Sequence, residues 1–128
     1  MQQQRGLEST SAQEGPRPAT WQDITQPKPL YLETTFAHAG AAQAAIVTPD
    51  TPAYRAQADK IAQAIWAASG VRLPVALETD LDPWEAPGVN LIVLGNLVDT
   101  PYLAPLYARH YVAADRFYPG AGGHVLHT

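Results

Sequence analysis

Apolar and polar positions along this chain repeat with two different periods, and the period changes where a proline enters. Residues 30–37, LYLETTFA, are rich in β-branched and aromatic side chains. Leu30, Leu32, Thr34 and Phe36 fall at every second position, which predicts a strand presenting these four on one face. His38-Ala39-Gly40 reads as a turn, and residues 41–49, AAQAAIVTP, as a second strand, so that the two form a hairpin. From Tyr54 to Ser69 the period lengthens. Tyr54, Ala58, Ile61, Ile65 and Ala68 recur at steps of three and four and predict one buried helical face, with Arg55, Asp59, Lys60 and Gln63 mostly off it. Thr51 supplies an N-cap and Pro52 the first helical position, where a missing N–H costs nothing; Gly70 supplies a left-handed C-cap.

Residues 71–78, VRLPVALE, return to alternation, with Val71, Leu73, Val75 and Leu77 on one face. Pro74 has no N–H to give to a ladder and places this strand at an edge. Residues 80–88, DLDPWEAPG, read as a loop. Residues 90–95, NLIVLG, are apolar on both faces, as expected of a central strand covered on two sides. Asp99 or Thr100 then caps a short helix that Pro101 opens and that buries Leu103, Leu106 and Tyr107. Residues 110–119 are irregular, YPGAGG (118–123) is a turn, and GHVLHT (123–128) reads as a last strand. The order β-β-α-β-β-α-β predicts an α/β fold, a mixed sheet of about five strands flanked by two helices. Crossovers between parallel neighbours are expected to be right-handed. A final strand with no turn or cap behind it predicts an incomplete domain, truncated at its C-terminal end. Residues 1–29, rich in Gln, Ser, Pro and Gly with Trp21 and Ile24 as apolar exceptions, read as a disordered leader or linker, which leaves 30–128 as the domain.

Composition narrows the partners more than the chemistry. The 128 residues suffice for one domain with a modest core. Charged residues make up only 16%, the net charge is −4, and Lys and Arg form no block, so nucleic acid and anionic membranes are not expected partners. No apolar run approaches the roughly 18 residues a membrane-spanning helix needs. Cysteine is absent, which removes disulfides, thiolate metal sites and cysteine nucleophiles together. The opening MQQQRGLEST lacks the apolar core of a signal peptide.

The triplet Asp-Thr-Pro occurs twice, at 50–52 and 99–101, each time after a strand-like run. A strand, a glycine and a helix start are ingredients of a phosphate cradle. However, GNLVDTPY has one glycine and no cation, matches no phosphate-loop pattern, and places Asp99 where it would repel an anion. Helix capping is the simpler reading. Glu78, Asp80 and Asp82 alternate, with Glu85 nearby, and could hold Ca²⁺, but the EF-hand pattern is not met and Pro83 follows at once. A solvated acidic loop accounts for them, and an exposed loop offers no burial to raise a carboxyl pKa for glycosidase-type acid catalysis. His124 and His127 lie three apart, on opposite faces of a strand, and His38 and His110 are isolated, so no histidine metal site is expected. No G-x-S-x-G elbow occurs. YPGAGG could cradle a ligand with backbone N–H groups, yet Pro followed by Gly is ordinary turn chemistry. Trp66 falls at the margin of the long helix's packed face. Trp84, in the open loop, is the better candidate for stacking on a sugar. No catalytic, metal or cofactor-binding residue is expected.

Taken in order, three stretches resemble a known family: AAIVTPDTPAYRAQADKIAQAIWAASGVRLPV, NLIVLGNLVDTPYLAPLY and DRFYPGAGGHVLHT. They look like the N-terminal non-catalytic α/β accessory domain that precedes the catalytic barrel in bacterial glycoside hydrolases such as β-hexosaminidases and α-glucuronidases. The matching segments are Ile46-Val47-Thr48-Pro49, Ala58 to Gly70, Gly70 to Val75, Ile92 to Asn96 and Gly122 to Leu126, so the resemblance covers about residues 40–128 through the order of its elements. It implies a domain that packs against a downstream catalytic domain of the same polypeptide and bears no catalytic residue itself. It also implies an extracellular or periplasmic setting. Two alternatives stand beside it: a glycan-binding module using Trp84 and nearby tyrosines, and a small nucleotide- or phosphate-binding protein using Gly95-Asn96 and the Asp99 helix start.

Overall fold

The computed structural model describes residues 31–85 and 87–127, together with Thr25 and Pro27. The proposed leader therefore lies outside the described residues apart from those two positions, as do Leu30 and Thr128. The chain forms a small mixed α/β domain with two sheets instead of one sheet of five strands. A two-stranded antiparallel hairpin joins β1 (Ala37–His38) to β2 (Ala41–Ala42). A three-stranded parallel sheet has the order β4-β3-β5, from β3 (Ala44–Thr48), β4 (Val75–Leu77) and β5 (Asn90–Val93). Helix α1 (Pro52–Ser69) connects β3 to β4, and a 3₁₀ turn (Pro101–Leu103) leads into the short α2 (Ala104–Ala108).

The hairpin forms where the sequence puts it, but it is much shorter. Ala39 and Gly40 both take positive φ, 50° and 78°, the requirement of a two-residue turn matched to strand twist. Residues 31–36 are not a strand: their bonds to other segments, from Asn90 Nδ2 to the Thr35 carbonyl and from Gln43 N–H to the Phe36 carbonyl, form no ladder, and Tyr31 and Leu32 are 74% and 105% exposed. Alternation there has no core to point at. The run 41–49 is not one strand either. It breaks at Gln43, whose N–H goes back to Phe36 and whose carbonyl accepts from Asn90, so the chain passes from the hairpin to the main sheet at that residue.

Strand β3 is the centre of the fold. Its Ala44, Ile46, Val47 and Thr48 are all essentially inaccessible. Ala44 and Ile46 meet Ala58 and Ala62 of α1 together with Val71 and Leu73. The expected helical face is correct in Ala58, Ile61 and Ile65, but Ala62 is buried while Ala68 is exposed. The small side chains at 58 and 62 let the helix lie close on the sheet. Thr51 caps α1 by accepting the Tyr54 N–H, and Gly70, at φ 74°, closes it by donating to the Trp66 carbonyl. Thr51→Ala should therefore lower stability by about 1 kcal/mol; equal denaturant midpoints for the two proteins would remove the cap from the account.

Three further expectations are corrected. The alternation in 71–78 places Val71 and Leu73 inside, but ordered pairing starts only after Pro74, Val75 is 43% exposed and Leu77 is half-buried. The edge position inferred from Pro74 is right. NLIVLG is not the central strand: β5 lies at the other edge, and all four of its residues are half-buried. Last, residues 123–127 form no strand, because no neighbouring strand pairs with them; Leu126 is 90% exposed.

Candidate functional site

From β3 the chain runs through α1 to β4 on one side, and β5 lies on the other side. The point where the strand order reverses is therefore between the C-terminal ends of β3 and β5. In open α/β sheets that crevice is the usual place for a ligand. The two Asp-Thr-Pro triplets follow these two strands and meet there. Their likeness in sequence conceals a difference in role.

The first triplet starts α1. Asp50 accepts from Arg55 Nε at 2.7 Å, and both side chains are more than half exposed, so this ion pair contributes little to stability. The second triplet does not cap with its threonine. Thr100 is fully buried and its hydroxyl donates to the Leu94 carbonyl at 2.7 Å, tying the loop back to the end of β5. No side chain caps the helical turn that follows; Asn96 instead closes the turn before it: its Oδ1 accepts from the Val98 and Asp99 N–H groups at 2.8 and 2.9 Å, and its carbonyl accepts the Thr100 N–H at 2.7 Å. Gly95, at φ 120°, sits where a Cβ would collide with Thr100 Oγ1. This glycine makes room for a threonine side chain, not for a phosphate.

Across the crevice the Tyr54 hydroxyl donates to Asp99 Oδ2 at 2.9 Å, and Asn96 Nδ2 donates to the same oxygen at 3.2 Å. Burial, then the hydrogen bond to Asp99 and its charge, raise the Tyr54 pKa. The phenol thus stays a neutral donor across the neutral pH range, and its share of stability is lost only as pH rises past the tyrosine range. Sequence reading treated Tyr54 as part of an apolar stripe; only the meeting of the two loops gives its hydroxyl a role. Tyr54→Phe should cost about 1 kcal/mol, read from urea midpoints; a stabilised variant would mean that the bond is not formed.

A second concavity lies on the face of the sheet opposite α1. It has a volume of about 320 Å³, with a floor of Ala45, Val47, Ala76 and Leu91 and with Asp82 and Tyr102 at its margin. Burial, followed by the Asp82 charge, raises the Tyr102 pKa. Trp84 does not line it. Its N–H donates to Asp82 Oδ1 at 2.9 Å, its ring is half-buried, and the Arg109 guanidinium lies 5.9 Å from the ring centre. Glu78 and Asp80 lie in a 3₁₀ turn (Glu78–Asp80), and Glu85 is exposed. Among the described residues no three His, Cys, Asp or Glu side chains gather as metal ligands. His110 and His127 line one shallow hollow of about 180 Å³ with Tyr111 and Tyr118, although they are 17 positions apart in the sequence. The turn before it is set by Asp115, whose Oδ1 accepts the Phe117 and Tyr118 N–H groups; these two bonds hold its carboxyl below the usual range.

No family model, curated protein or solved structure matches this chain.

Proposed function

We propose that this chain is a non-catalytic accessory domain of a larger carbohydrate-active enzyme, a glycoside hydrolase or polysaccharide lyase, that packs against a downstream catalytic domain. The observation that carries this reading is the apolar surface of residues 117–126. Phe117, Tyr118, Val125 and Leu126 are 82%, 56%, 45% and 90% exposed, close together in sequence and outside the core around β3. Exposed apolar side chains that join into one patch mark contact with another protein surface. The resemblance of the ordered motifs to those of glycoside hydrolase accessory domains is the ground for naming a catalytic domain as the partner.

The test is to read the native gene past codon 128 and to compare hydrogen exchange in the chain alone and in its longer parent. A catalytic domain encoded in frame, with slowed exchange over residues 117–126 in its presence, is the expected result. An immediate stop codon, or identical exchange in both proteins, overturns the proposal.

The glycan-binding alternative rests on Trp84, whose ring is braced by Arg109 in a loop at the margin of the open sheet face. Titration with oligosaccharides should then change tryptophan fluorescence in a saturable way that Trp84→Ala abolishes. The nucleotide alternative draws no support from a crevice edged by Asp50 and Asp99 whose glycine is occupied by Thr100.

A further inference from the structure

The sheet has two edges, and they are built differently. At the β4 edge, the strand is three residues long, is preceded by Pro74 and runs directly into Glu78. Short length, proline and charge are the usual means by which an edge is kept from pairing. The β5 edge, four residues long, has neither proline nor charge. Residues 89–98 carry no charge and no proline, and Leu91, Ile92 and Val93 are all strand-forming.

The ladder shows which groups this edge offers. The Asn90 and Leu94 N–H groups go to the Gln43 and Val47 carbonyls of the β3 side. By the alternation of a parallel ladder, the N–H and C=O of Leu91 and Val93 point the other way. Among the described residues no other backbone group bonds them, and no strand lies beyond β5. Both residues are half-buried, and among the described residues their outward groups have no backbone partner.

We propose that β5 is a self-association edge, pairing antiparallel with β5 of a second copy of this chain about a two-fold axis through Ile92. In that register Leu91 faces Val93 of the second copy and Val93 faces its Leu91. All outward N–H and C=O groups at these positions then exchange hydrogen bonds, and the two Ile92 residues form the intervening non-hydrogen-bonded pair. A two-fold axis sets like against like. A charged strand would oppose itself, whereas this one opposes no charge at all. The product is a continuous six-stranded sheet in which NLIV becomes interior, the position its two-sided apolar pattern calls for. The inference is independent of the accessory-domain reading.

Light scattering coupled to gel filtration, with analytical ultracentrifugation over a concentration series, should show the full chain at twice the mass of one chain. Ile92→Cys places the protein's sole thiol on the axis. Non-hydrogen-bonded antiparallel pairs bring Cα atoms to about 4.5 Å, within disulfide reach, so this variant should oxidise to a covalent dimer. The exposed Ala67→Cys control on α1 should not. Val93→Pro removes an outward N–H and leaves the β3 ladder intact; it should weaken association at least about tenfold with circular dichroism unchanged. A monomer at all concentrations overturns the proposal. So does a dimer in which Ile92→Cys fails to crosslink, which would place the contact on another surface. Slow exchange at Leu91 and Val93 in a monomer would also overturn it, because a segment of the same chain would then cover the edge.

Discussion

Replacing Gly95 by alanine is expected to destabilise the protein by about 3 kcal/mol, enough to lower the melting temperature by about 10–20 °C. Two effects act at once. The backbone holds φ at 120°, a region that residues with a Cβ rarely adopt. The added methyl would also collide with Thr100 Oγ1, come within 2.9 Å of Thr100 Cβ and touch Pro49 Cγ at 3.4 Å. Thr100 cannot give way, because it is fully buried and its hydroxyl holds the Leu94 carbonyl. The two effects separate in a double-mutant cycle. In a Thr100→Ala background the Oγ1 collision is gone, while the 2.9 Å approach to Cβ and the dihedral cost remain, so Gly95→Ala should be cheaper there by about 1 kcal/mol or more. Equal costs in both backgrounds would remove the Oγ1 collision from the account and leave the penalty to φ and the approach to the residue-100 Cβ. Since this loop forms one wall of the crevice, the Tyr54–Asp99 bond should be lost with it.

Ile46→Ala is expected to cost about 3–4 kcal/mol, measured from denaturant midpoints. Ile46 is inaccessible to solvent, is flanked by Val75 on one side and Ile92 on the other, and packs under Ala58 and Ala62. A methyl-sized replacement leaves a cavity that close-packed helix and strand backbones cannot collapse into. The comparison that gives this number meaning is Ile92→Ala. On the half-buried edge strand it should cost clearly less, and Val75→Ala, 43% exposed, less than about 1 kcal/mol. If Ile92→Ala proved the costlier of the two isoleucine changes, β5 and not β3 would be the central strand, and the strand order described above would be wrong.

That comparison touches the point at which sequence and structure part. NLIVLG carries the two-sided apolar pattern of an interior strand, yet occupies an edge. AAIVT is poorer in large apolar side chains and lies in the middle. Hydropathy reports how much apolar surface a segment can bury, not which segments are its neighbours. Ala44 suits a central position because its small side chain permits close approach of α1 on one face, and Ala45 lies on the other. Helix α1 was legible in detail because its signals are local: a threonine cap, a proline at the first position, a 3.6-residue period and a terminal glycine. The strands predicted at 30–37 and 123–128 failed for the complementary reason. A strand's hydrogen bonds lie in another segment, and among the described residues only Ala37 of the first run joins a ladder, while no strand pairs with the second.

The candidate site divides in the same way. That both Asp-Thr-Pro triplets follow strands and open helical turns was readable along the chain. That they face each other at the reversal of strand order was not. Nor was the closing of the turn before the second helix start by Asn96, or the recruitment of Tyr54 to Asp99 across 45 residues. The sequence by itself determined the α1 cap-to-cap segment, the turn at Ala39-Gly40 and the α/β class, because each depends on residues within a few positions of one another. Only the tertiary structure decided which strand is central, what each threonine bonds and which edge is left open, because those depend on partners that chain-local chemistry does not name.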